Sequence, residues 1–260
     1  MIMTEYRILI VNPNSSQSMT DALRPVVEGL GYTSYSYFTA PDGPVSINST
    51  ADIEESTSAS LAALQSLLPT HSAVLIACYS AHPLVPALRH WLANHADPEQ
   101  RRKPVLGIFE ASVAAALQVC GTGIPGGGGS WGIISTGKVW EELLTNAVTG
   151  GSMGTEGEGH GVQLSGLVAG FMGVETTGLS AAELHEADPQ LVKTRVKEAV
   201  TRLLGRRENV TAVLLGCAGM AGMEGWVAEA VAEYGAQGVS IIDGVKAGVG
   251  ALQGWLRAGF

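Results

Sequence analysis

The feature that most constrains this chain is a recurrence. Short, unbroken aliphatic runs alternate with helical patterns, and the series begins again near the middle of the 260 residues. A continuous apolar run has both faces buried, as a parallel strand does when helices cover its sheet on both sides. The pattern therefore predicts an α/β protein.

In the first half, "RILIV" (Arg7–Val11), "TSYSYF", "AVLIAC" and "PVLGIF" read as strands. Helices are predicted after Ser16, a good N-cap, over Ala51–Leu68, after Pro83 and Pro86, and over Ala111–Val119. Pro25 interrupts the first of these and predicts a shortened helix. In the second half, "WGIIS", "AVLLGC" and "GVSIID" read as strands. Helices are predicted at "GKVWEELLTNAV", Pro189–Leu204, "MEGWVAEAVAEYG" and "GVKAGVGALQGWL".

The halves resemble each other. "ILIVNPNSSQSMTDAL" and "WGIISTGKVWEELL" are both strand, hydroxyl-rich turn, helix. "AVLIACYS" and "AVLLGCAG" are both strand, Cys, small or polar turn, and each leads to a helix. The repeat predicts two similar lobes, each a mainly parallel sheet flanked by helices, with the active site in the cleft between them. The expected boundaries are 1–104 for the first lobe, completed by 239–260, and 105–238 for the second. Ligands of parallel sheets bind beyond the carboxyl ends of the strands, where both cysteine turns and both hydroxyl turns would lie.

Composition narrows the partners. Hydrophobic residues make up 46% and charged residues 15%, so the chain can bury a large core. A net charge of −9 opposes a phosphate backbone, and the short basic runs Arg101–Lys103 and Arg206–Arg207 read as solvated edges. The N-terminal "MIMTEYRILIV" lacks the pattern of a secretory signal, and no apolar run is long enough for a membrane span. Three cysteines without a dense framework suit a reducing compartment. The expectation is a cytoplasmic homo-oligomer acting on a small molecule, with no nucleic-acid or membrane partner.

Most free cysteines are small core residues, and Cys120, in an apolar helix, is read that way. Cys78 and Cys217 share a different context. Each follows a buried strand and precedes a helix, where backbone N–H groups stabilise a thiolate or hold a substrate oxygen. "GIISTGK" has phosphate-loop spacing, but Val139 stands where a Mg²⁺-binding hydroxyl is needed. The glycine run 126–129 lacks a dinucleotide fingerprint and reads as a connection between lobes. His82 lies four residues after Cys78, with no convergent set of metal ligands around it.

Four segments in order, "VNPNSS", "ACYSAHPLV", "GIIST" and "LLGCAGMAG", resemble the hydantoin and allantoin racemase branch of the Asp/Glu/hydantoin racemase superfamily. The resemblance covers most of the chain. It implies a cofactor-independent racemase of allantoin or a 5-substituted hydantoin, with no metal, in which Cys78 and Cys217 are the acid/base pair. It also implies Asn14, Ser15, Tyr79, Ser80, Ser135, Thr136, Ala218 and Gly219 as substrate-holding positions. Where bacterial members tend to carry an Asp-Pro-Gly turn after the first cysteine, this chain has Tyr79-Ser80-Ala81-His82-Pro83. Two alternatives stand beside the racemase. One is a decarboxylase or cis–trans isomerase of the same fold using a single cysteine; the other is a non-catalytic binding protein.

Overall fold

The computed structural model describes residues 6–32, 34–121, 128–150 and 169–259. Of the glycine run 126–129, residues 126 and 127 lie outside the described residues.

The described chain divides into two compact units, residues 6–108 with 245–259, and the residues between them. Each unit is built on a four-stranded sheet whose pairings are all parallel.

In the first unit, β1 (Ile8–Asn12), β2 (Tyr35–Thr39), β3 (Ala73–Ile76) and β4 (Val105–Gly107) lie in the order β2-β1-β3-β4. Helix α1 (Gln17–Glu28) connects β1 to β2, α2 (Thr50–Gln65) leads back to β3, and α3 (Leu84–Ala93) with the short α4 (Pro98–Arg101) leads on to β4. The chain thus leaves β1 in one direction and returns past it in the other. Right-handed crossovers then put α1 on one face and α2 and α3 on the opposite one, and α2 does pack on α3. Ile10, Ile76, Leu84 and Leu88 are among the fully buried residues that result.

The second unit repeats the plan. It contains β5 (Ser130–Ser135), β6 (Phe171–Thr176), β7 (Val210–Leu215) and β8 (Ser240–Asp243), in the order β6-β5-β7-β8. Its helices are α5 (Ile108–Val119), α6 (Val139–Thr149), the short α7 (Glu183–Glu186), α8 (Pro189–Leu204) and α9 (Glu224–Tyr234). α8 packs on α9 and on β5 and β6. The last helix, α10 (Gly244–Ala258), groups with the first unit from Val245 onward. A Cβ at Gly248 would stand 2.5 Å from Leu75 Cδ1, so glycine lets α10 close on β3. No helix among the described residues is long and apolar enough to cross a membrane.

Three sequence readings are corrected. "PVLGIF" supplies the fourth strand of the first sheet and "GVSIID" the fourth strand of the second, so the cuts at 104 and 239 are each displaced by one strand. Helix α1 runs through Pro25, because that residue is exposed and the carbonyl that loses its donor can be hydrated. Strand β6, "FMGVET", has no counterpart in the sequence reading. Gly173 breaks its pattern, with φ +106°, and a Cβ there would stand 2.1 Å from Arg206 Nη1. Arg206 donates to the carbonyls of Met172 and Val174, and Arg202 to that of Thr176, while both pair with Glu175. The two arginines cover the free edge of this sheet.

Candidate active site

In each sheet the chain reverses its direction of travel between the two central strands, and ligand sites of such sheets lie at that switch, beyond the strand carboxyl ends. The geometry there is duplicated. Ala77 N–H donates to the carbonyl of Val11 at 2.7 Å, and Gly216 N–H donates to that of Ile134 at 2.7 Å. The residue after each donor is a cysteine, Cys78 in one unit and Cys217 in the other. Both are half-buried and in no disulfide, whereas Cys120 is buried.

The residue before Cys217 must be glycine. A Cβ at Gly216 would stand 2.6 Å from Ile133 Cγ2 and 2.7 Å from the Ile134 carbonyl oxygen. Ser135 adds a second tie, its hydroxyl donating to the Gly216 carbonyl at 2.7 Å. Cys217 then opens a 3-10 turn, Ala218–Met220, and its Sγ accepts from Gly219 N–H at 3.3 Å. Burial pushes the Cys217 thiol up to about 11, against the pull of the Gly219 and Met220 N–H groups. This site therefore holds a thiol at neutral pH.

Cys78 lies in a turn knotted by its own main chain. Ser80 N–H donates to the Cys78 carbonyl and His82 N–H to that of Ser80. Cys78 Sγ and Ser80 Oγ are 3.5 Å apart. Tyr79 and Ser80 are both buried.

The hydroxyl turns differ in what they leave free. Asn14 Oδ1 accepts from Asn12 Nδ2 at 2.8 Å and from Ser16 N–H at 3.0 Å. Ser15 Oγ donates to the Gly43 carbonyl at 3.1 Å. Ser16 caps α1 by accepting from Met19 N–H. In the second unit Thr136 is 2% exposed, and its hydroxyl has no hydrogen-bond partner among the described residues. Helix α6 starts three residues later without a side-chain cap, and its Trp140 and Glu141 N–H groups donate to the carbonyls of Gly137 and Lys138.

One neighbour of Cys217 was invisible in the sequence. A Cβ built on Gly219 would stand 3.0 Å from His185 Nε2 and 3.5 Å from Cys217 Sγ. The His185 ring on α7 thus borders the turn that carries the thiol. Among the described residues no group of three or more His, Cys, Asp and Glu is placed to hold a metal ion.

The family model for Asp/Glu/hydantoin racemases matches residues 8–252. The Schizosaccharomyces pombe protein C1F7.10 is 32% identical over 259 residues, covering 96% of this chain and 92% of its own. Among solved structures, an allantoin racemase from Pseudomonas fluorescens superposes with a TM-score of 0.74 at 22% identity, covering 98% of this chain and 92% of that one. An allantoin racemase from Klebsiella pneumoniae gives a TM-score of 0.74 at 21% identity, covering 98% and 89%.

Proposed function

Because this chain belongs to the Asp/Glu/hydantoin racemase family, we propose that it is a cofactor-independent racemase of a cyclic ureide, allantoin or a 5-substituted hydantoin, with Cys78 and Cys217 as its acid/base pair. The observation that carries this reading is the duplicated strand end. Each unit sets one half-buried cysteine at the same step beyond the same main-chain hydrogen bond.

The C5 hydrogen of such a ring lies beside a carbonyl. A thiolate takes that proton, and the electron pair delocalises onto the carbonyl oxygen as an enolate. The second cysteine, as a thiol, returns a proton to the opposite face. For the other enantiomer the two exchange roles. A protonated Cys217 is suited to return a proton, and it must ionise before it can act as the base. The hydroxyl of Thr136, buried in the turn after β5, supplies a donor for the enolate oxygen. Both proton steps are carried by thiols, so no metal or cofactor enters the scheme. A decarboxylase or cis–trans isomerase working with one cysteine leaves the second matched thiol unused.

Proton NMR in D₂O tests the reading. Single enantiomers of allantoin and of several 5-substituted hydantoins are followed with enzyme and without it. The expected result is accelerated loss of the C5 signal together with loss of optical rotation for at least one of them. Ligand binding with no acceleration of exchange contradicts it.

A further inference from the structure

His82 has no part in the scheme above, yet it is a fully enclosed polar side chain close in sequence to Cys78. It is 0% exposed and sits four residues beyond Cys78. Its Nε2 lies 3.0 Å from Ser56 Oγ, and that hydroxyl donates its own proton to the Ile53 carbonyl at 2.9 Å. Ser56 is therefore the acceptor, and Nε2 carries the hydrogen. Nδ1 accepts from Leu84 N–H at 3.3 Å, so Nδ1 carries none. These two bonds fix one neutral tautomer, and the Thr57 hydroxyl, which donates to the Ile53 carbonyl at 2.7 Å, stands 3.4 Å from Nδ1 as a second, looser contact with α2. They also do different work. The Leu84 bond replaces the cap that Pro83 does not give α3. The Ser56 bond crosses to α2. The short stretch between strand β3 and helix α3, which includes Cys78, is thus pinned at its far end to a different helix.

We propose that His82 is the positioning residue for Cys78: its neutral ring ties the turn to Ser56 of α2 and so sets the aim of the thiol. The inference rests on the racemase reading, in which each cysteine serves one face of the substrate. A residue that positions Cys78 alone then affects one half-reaction and spares the other, and a general loss of folding does not produce that asymmetry.

The test uses His82→Asn, His82→Gln and Ser56→Ala. Asn places an oxygen near Nδ1 and keeps the Leu84 bond but does not reach Ser56. Gln places an amide N–H near Nε2 and keeps the Ser56 bond. Ser56→Ala removes the acceptor on α2 and leaves the imidazole in place. Two readouts are taken on each full-length variant: α-hydrogen exchange in D₂O for each enantiomer, and iodoacetamide labelling of Cys78 and Cys217 by peptide mapping. His82→Asn and Ser56→Ala are expected to slow exchange of the enantiomer that Cys78→Ser abolishes by about tenfold or more, since misplacing a reacting group by ~1 Å can cost on the order of 100-fold. The other enantiomer should stay within about twofold, and His82→Gln should fall between these variants and wild type. The labelling rate of Cys78, and not that of Cys217, should change in the same variants. Equal slowing of both enantiomers, or unchanged Cys78 labelling in all three variants, overturns the proposal. If the wild type exchanges no α-hydrogen, the racemase reading fails by itself, and the labelling arm still decides whether His82 holds Cys78.

Discussion

Ser135 Oγ donates a 2.7 Å hydrogen bond to the carbonyl of Gly216, the residue before Cys217. Both residues are buried, so the bond fastens the hydroxyl turn to the cysteine turn with no water to replace it. Ser135→Ala should cost about 1–3 kcal/mol, because the Gly216 carbonyl keeps its burial and loses its donor. Thr136→Val should change stability by less than ~0.5 kcal/mol, since the Thr136 hydroxyl holds nothing among the described residues. The same substitution should raise KM if that hydroxyl meets the substrate. Urea titration beside steady-state kinetics separates the two. A stable Ser135→Ala protein with normal kinetics contradicts the latch.

Asn14 answers to its own turn first. Its Oδ1 accepts twice, and its Nδ2 lies 3.1 Å from Met19 Sδ. Asn14→Ala should therefore lower stability by about 0.5–1.5 kcal/mol, because the Ser16 N–H loses its acceptor while the Asn12 amide keeps the Ser16 carbonyl and the Thr20 hydroxyl. A thermal melt at wild-type temperature shows the opposite. Asn14→Asp should be intermediate, since it keeps the accepting oxygen.

His82 makes stability depend on pH. Burial pulls its pKa down from an ordinary 6.5 to about 3. The folded protein then excludes a proton that the unfolded chain binds. The stability held by the neutral ring is complete above pH 6.5, declines by about 1.4 kcal/mol for each pH unit below it, and is gone once pH falls through the folded value near 3. Denaturation of wild type and His82→Asn between pH 7 and pH 4 isolates this contribution. The wild-type advantage should shrink steadily as pH falls; parallel curves contradict it.

The Cys217 thiol, pushed up to about 11, should alkylate slowly at neutral pH. In a Cys78→Ser, Cys120→Ser background its iodoacetamide rate should rise close to tenfold per pH unit from about 7 to 9, because the thiolate is the reacting species. A plateau below pH 9 shows a thiol that ionises readily and removes the assignment of Cys217 as the resting acid.

What could be read from the sequence was local. Continuous runs such as "AVLIAC" and "AVLLGC" announce parallel strands, and their shared ending marks Cys78 and Cys217 as a matched pair. Features set by distant contacts stayed hidden. Gly173 disguises β6 because the room it leaves is taken by Arg206, a residue of the turn just beyond α8. The strands β4 and β8 look like the start of a new lobe and a return to the old one, and their pairing partners decide otherwise. His185 belongs to a four-residue helix with no pattern of its own, and the fold alone brings its ring to Gly219. The duty of Asn14 within its own turn was equally illegible, since a hydroxyl- and amide-rich turn reads the same whether its side chains face inward or toward a ligand.

The central claim is that two thiols serve opposite faces of one carbon, and α-hydrogen exchange in D₂O by the single-cysteine variants tests it most directly. Each variant is given each pure enantiomer, and C5 deuteration is measured beside optical rotation. Cys78→Ser should exchange the hydrogen of one enantiomer and Cys217→Ser that of the other, with little inversion in either, because one thiolate remains to remove a proton and no thiol faces it to complete the turnover. Cys120→Ser should behave as wild type, its sulfur being buried in the core. Full racemisation by either variant, or the same enantiomer preference in both, would contradict the account.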